Sequence, residues 1–203
     1  MRALGRVRVR ASIVALGVAA ALVLSGCTTD KLASDYSSNS GTSYNDDNGR
    51  PVLVKAADRA KAISFQAKTD DGMPLSIADY KGKVVVVNFW YASCGPCRAE
   101  APILQGLYDK YQDQGVAFIG VNTFDQPEQA LSFEKKYGVT YPSVMDVDSG
   151  AVRIAFAGAV APTATPTTYV LDSKGRVAAR IVGELQSQSI LNTLISDTLA
   201  EGK

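Results

Sequence analysis

The sequence predicts an α/β fold, a central mixed β-sheet flanked by helices on both faces. Three observations carry that expectation. Val84, Val85, Val86 and Val87 stand in one unbroken run, the pattern of a strand buried on both faces. A second apolar run, "GVAFIGVN" at 115–122, follows after a helix-length interval. Beyond it, strand-like and helix-like segments continue to alternate, which places helices over a sheet.

The elements follow in order from about Pro51. An edge strand is expected around Ile63 to Ala67, then the turn "DDGMP" at 70–74. Val84 to Trp90 form the central strand. A helix should follow Cys94 and run to about Gln114, kinked at Pro102 because proline lacks an N–H and its ring crowds the preceding turn. The 115–122 strand precedes "QPEQALSFEKKYG" at 126–138, a helix with Pro127 near its start and Gly138 at its end. A short strand near Ser143 to Asp146 and a helix near Ala151 to Ala157 come next. "TTYVLDSKGRVAARIVG" reads as a hairpin around a turn at Asp172 to Gly175. The last helix, about 187–201, puts Ile190, Leu191, Leu194, Ile195 and Leu199 on one stripe.

The 203 residues divide by composition into three parts. Residues 1–26 carry Arg2, Arg6, Arg8 and Arg10, then a nearly uninterrupted apolar run from Ala11 to Leu24, the layout of a secretory signal. That run is shorter than the roughly 20 residues a spanning helix needs. Residues 27–50, rich in Ser, Asn, Asp, Gly and Thr, lack apolar periodicity and read as a flexible linker with a reach of about 25–30 Å. Residues 51–203 form the folded domain. Without the signal the chain keeps 17 basic against 20 acidic residues, a net charge of −3. No basic surface for nucleic acid is implied.

The chain has three cysteines and no histidine. Cys27 closes "LSGC" at the end of the signal, so Cys94 and Cys97 are left to pair with each other or with a substrate. A structural zinc site would need two further Cys or His ligands, so no metal is expected. Cys94 lies past the carboxyl end of a central strand and opens a helix. The unpaired N–H groups and positive dipole end there favour a thiolate. Cys97 falls one turn deeper on nearly the same face, suited to resolve a mixed disulfide. Two inert buried cysteines are the alternative.

"VVVVNFWYASCGPCRAEAPIL" at 84–104, with "FIGVN", "YGVTYP" and "TPTTYVLDSKGRV", resembles the thioredoxin superfamily over about residues 55–200, specifically the membrane-tethered TlpA and ResA-like thiol-disulfide oxidoreductases. The resemblance implies a thioredoxin-like fold. It makes Cys94 the attacking and Cys97 the resolving cysteine; separately, Leu24-Ser25-Gly26-Cys27 resembles the lipobox of bacterial lipoproteins, whose cysteine is acylated. The superfamily resemblance makes Glu100, which by position alone reads as a solvated helix residue, a tuner of the cysteines. It places a cis-proline at Pro166, with Pro162 as the rival, so that Thr165 presents its backbone to a substrate strand. Trp90 joins them as a substrate-binding residue. Asn88 stands where cytosolic thioredoxins carry a buried aspartate. Ser93 departs from the tryptophan common before the first cysteine, which leaves substrate preference open.

These features imply a lipid-anchored monomer on the extracytoplasmic face of the cell membrane, with no cofactor beyond the Cys94–Cys97 pair. Electrons would come from a membrane thiol donor and pass to protein disulfides, apocytochrome c among them. A disulfide-forming oxidase, a thiol peroxidase and a tethered binding protein with a structural disulfide are the alternatives. Gly95-Pro96 between the cysteines argues against a strongly oxidising couple, and the Pro-x-x-x-Thr-x-x-Cys pattern of the peroxidases is absent.

Overall fold

Every residue of the valine-rich strand Val84–Trp90 is buried, because it has neighbours on both edges and helices or loops over both faces. The computed structural model describes residues 51–160, 162 and 164–202; the signal segment, Cys27 and the linker lie outside them. The strands are β1 (Pro51–Leu53), β2 (Gln66–Thr69), β3 (Pro74–Ser76), β4 (Val84–Trp90), β5 (Val116–Asn122), β6 (Ser143–Met145), β7 (Thr167–Leu171) and β8 (Val177–Val182). The helices are α1 (Gly95–Tyr111), α2 (Pro127–Tyr137), α3 (Ala151–Val160) and α4 (Gln188–Ala200).

The strands form one mixed sheet in the order β1-β8-β7-β4-β5-β6-β2-β3. β4 runs parallel to β5, from Val84 opposite Val116 to Trp90 opposite Asn122, and antiparallel to β7, with Phe89 opposite Thr167. Strand alternation then sorts the side chains. Val85, Val87 and Phe89 face a core with Ile119, Val121 and Tyr169, covered by Phe65, Ile77 and the Val152 and Phe156 of α3. The Phe89 ring meets Phe156 edge-on at 5.2 Å. Val84 and Val86 face Leu104 and Leu107 of α1 and Leu191, Leu194 and Ile195 of α4. Each such aliphatic side chain contributes about 1.5–3 kcal/mol by leaving water.

The structure departs from the expected elements in four places. The strand expected at the edge around Ile63 to Ala67 lies at Gln66–Thr69 and is not an edge, since it pairs with β3 from Gln66 and with β6 from Lys68, while Ile63 and Phe65 pack in the core ahead of it. The α-helical part of the segment after Cys94 ends at Tyr111, and a 3-10 turn over Gln112–Gln114 closes on Gly115 at φ +79°. α3 extends to Val160. β1 and β3 are additional strands, too short to show a period. Arg59 ties β1's end of the chain down, donating to the Val54 carbonyl, Asp172 and Glu201. Among the described residues no helix is long and apolar enough to cross a membrane.

Candidate active site

The reactive segment is built where β4 stops and α1 begins. Cys94 is the N-cap of α1: its Sγ accepts the Cys97 N–H at 3.1 Å, and Pro96 sits in the first turn. Proline is tolerated there because that turn's N–H groups have no intrahelical acceptor. Cys94 and Cys97 are joined as a disulfide. Their exposures are 3% and 2%, so both sulfurs are shielded in the disulfide form. Ser93, Gly95 and Pro96 around it are exposed.

The preceding loop is held from both sides. Asp125, itself buried, accepts the Ala92 N–H at 2.5 Å and the Asn122 amide at 2.8 Å. Arg98 Nε donates to the Ala92 carbonyl at 2.8 Å, and the Thr123 N–H donates to the Trp90 carbonyl at 3.1 Å. Asn122 Oδ1 accepts the N–H groups of Phe124 and Asp125, an Asx turn that aims Asp125 back at the loop. Sequence reasoning missed Asn122 and Asp125. Their signal, Asn and Asp just before the proline that opens α2, reads only as a turn.

The Thr165–Pro166 peptide bond is cis, and the Thr165 carbonyl oxygen lies 4.0 Å from Cys94 Sγ. Pro166 is thus brought to the cysteines, whereas Pro162 belongs to a neighbouring groove of about 360 Å³ with Phe89, Tyr91, Thr123, Arg153 and Thr165. A larger open groove of about 620 Å³ lies against Ala92 and Ser93, walled by Phe124, Phe133 and Tyr137. The exposed Phe124 ring and Tyr91, centroids 5.8 Å apart, stand near both grooves.

Glu100 is not a solvated helix residue: it is 1% exposed. Its carboxylate accepts the Asn88 amide at 2.7 Å and the Leu185 N–H at 3.1 Å. Burial pushes its pKa from 4.5 up to about 7, opposed by those two hydrogen bonds and assisted by Glu184. Asn88 also donates to Thr168 Oγ1 at 3.0 Å. A cavity of about 10 Å³, near the size one water needs, touches both Asn88 and Cys97. Asn88 is therefore the residue that touches both the Glu100 carboxylate and the space beside Cys97.

Trp90, expected as a substrate-binding residue, is placed inward. It is 4% exposed, and its ring packs on Phe133 with centroids 4.4 Å apart. Strand alternation turns it into the α2 side of the sheet, where it supports the cysteines from beneath. Among the described residues no group of three or more Cys, Asp or Glu is placed to hold a metal ion.

Residues 59–180 match the AhpC/TSA family. The chain is 31% identical to the thiol-disulfide oxidoreductase ResA of Bacillus subtilis (strain 168) over 142 residues, covering 70% of this chain and 75% of that protein. A thioredoxin-family thiol:disulfide interchange protein from Chlorobium tepidum TLS superposes with a TM-score of 0.64 at 31% identity, covering 70% of this chain and 97% of the other. A DsbF homologue from Corynebacterium diphtheriae superposes with a TM-score of 0.65 at 30% identity, covering 74% and 94%.

Proposed function

As the chain belongs to the AhpC/TSA family of thioredoxin-fold proteins, among its ResA-like thiol-disulfide oxidoreductases, we propose that it reduces protein disulfides outside the cytoplasmic membrane from a lipid anchor at Cys27. Residues 1–26 are then removed as a signal, 27–50 serve as the tether, and 51–203 carry the chemistry. The observation that carries the reading is the placement of Cys94 Sγ at the head of α1, accepting the Cys97 N–H. The same N–H and the helix dipole stabilise a thiolate once the disulfide is opened.

The exchange balances as two electrons and one disulfide for another. The Cys94 thiolate attacks one sulfur of the substrate disulfide, forming a mixed disulfide and releasing the other substrate sulfur as a thiolate. Cys97, deprotonated, then attacks Cys94 Sγ; the internal disulfide forms and the second substrate thiolate leaves. A membrane thiol donor restores the dithiol. Thr165, with its carbonyl beside Cys94 and Pro166 fixing its backbone, positions an extended substrate segment. Glu100, with a pKa of about 7, takes or returns the Cys97 proton near neutral pH.

Two measurements test this. Redox titration of the Cys94–Cys97 couple should give a potential near that of thioredoxin, about −270 mV, whereas a value near −120 mV marks an oxidase. Cys97→Ser should accumulate mixed disulfides that Cys94→Ser does not, and mass spectrometry of the trapped species tells apocytochrome c from a broader substrate set. Equal trapping by both variants would contradict the order of attack.

A further inference from the structure

A cluster of oxygen atoms outside the cysteine site joins the sheet edge to α2. Asp70 follows β2 and continues its pairing with β6, donating its N–H to the Ser143 carbonyl at 3.1 Å. Glu134 of α2 lies over this point. Asp70 Oδ2, Glu134 Oε1 and Ser143 Oγ are buried without a well-formed hydrogen bond, although the Ser143 hydroxyl faces Glu134 and favours its ionised form. The groups facing Glu134 are Asp70 and Asp71 after β2, the Ser143 hydroxyl of β6, and Tyr141 before it. None of these is a cation, and among the described residues neither Asp70 nor Glu134 makes an ion pair.

Two carboxylates in contact at a buried site cannot both stay ionised without a positive charge between them. A hard divalent cation takes six to eight oxygens. The cluster leaves three side-chain oxygens without a partner, fewer than such an ion needs, and among the described residues no group of three or more Cys, Asp or Glu is placed to hold a metal ion. A proton needs only the two carboxyl oxygens. We propose that Asp70 and Glu134 share one proton, a carboxyl–carboxylate latch that fastens α2 to the end of β2, and that loss of this proton at alkaline pH loosens the seam.

The latch is tied to the rest of α2. Phe133, Lys136 and Tyr137 of this helix wall the groove beside Ser93, so the seam sets where one side of that groove stands. Burial, and after it the contact with Asp70, holds the Glu134 carboxyl well above the usual carboxylate range. The folded chain therefore keeps this proton at pH values where the unfolded chain has lost it. Stability from the latch is full below the ordinary carboxylate pKa and is lost as pH rises through the folded value.

The test is thermal unfolding of the whole chain with its disulfide intact, at about pH 5 and about pH 9.5. Glu134→Gln replaces the shared proton by a permanent amide donor toward Asp70. The expected result is a Tm close to wild type at the acidic pH and several degrees above it at the alkaline pH, with a flatter pH dependence between. Asp70→Asn should behave likewise, and it carries the test if Glu134→Gln does not fold. A variant Tm below wild type by the same amount at both pH values would mean an ordinary structural contact. A rise in wild-type Tm with millimolar calcium chloride that both variants abolish would mean a cation site. Either result overturns the shared proton.

Discussion

Glu100→Gln isolates the charge beneath the cysteines. The folded protein holds the Glu100 proton up to about pH 7, against 4.5 for the ordinary group. Between those values rising pH strips the proton from the unfolded chain alone, so stability is full below about pH 4.5 and declines until the folded group also ionises near pH 7. At ~1.4 kcal/mol per pH unit the loss amounts to about 3 kcal/mol, or on the order of 10 °C in Tm for a domain of this size. Gln cannot ionise, so its share of the pH dependence vanishes. It does lose one contact even against the protonated acid, because Asn88 and the Leu185 N–H each donate to a different carboxyl oxygen, and a neutral carboxyl keeps acceptor capacity at both oxygens where an amide accepts at one. The variant should therefore lie slightly below wild type near pH 4.5 and overtake it above pH 7. The assay is thermal or denaturant unfolding of the oxidised protein, in which the cysteines do not titrate. In the reduced protein the same substitution removes a negative charge near Cys97, so an apparent thiol pKa should fall. A wild-type minus variant difference that stays constant from about pH 4.5 to about pH 8 would refute the buried, proton-holding role of Glu100.

Two further substitutions probe the support and the tether. At Gly120 an added methyl group would overlap Ser143 Oγ and lie 2.8 Å from Trp90 Nε1, so Gly120→Ala should cost about 1–3 kcal/mol by overpacking; calorimetry should show Ser143→Ala recovering part of it, and an unchanged Tm would mean that Trp90 is free to yield. Cys27→Ser should release the protein from membranes in a fractionation at high salt; retention would point to an uncleaved apolar helix in place of the lipid.

The order of elements and the reacting pair were legible in the sequence because both are local in origin. Four consecutive valines can be satisfied only between two layers, and a Cys-x-x-Cys at the head of a helix places one sulfur at the cap and the other a turn along it. The helix ends were legible at Gly138, where the chain closes α2 at φ +71°. β1 and β3 were not, since three-residue strands exist only through their partners, which begin at Ile181 of β8 and Gln66 of β2.

What tertiary structure alone decided is burial and charge. Glu100 has the local surroundings of a surface helix residue; it is buried because α1 lays it against Asn88 of β4 and the Leu185 backbone, positions 12 and 85 residues away. Trp90, at the end of β4, is turned beneath the surface by the pleat, and Cys94, at the cap of α1, is buried in the same cluster with Phe133 of α2. The loop clamp of Asp125 on Ala92 spans 33 residues, and the Asp70–Glu134 contact joins a turn to a helix. Sequence therefore determined which residues could do thiol chemistry, through local periodicity and caps. The long-range packing set which of them meet, and hence which charges must share a proton, because desolvation and hydrogen bonding act between elements that only the fold brings together.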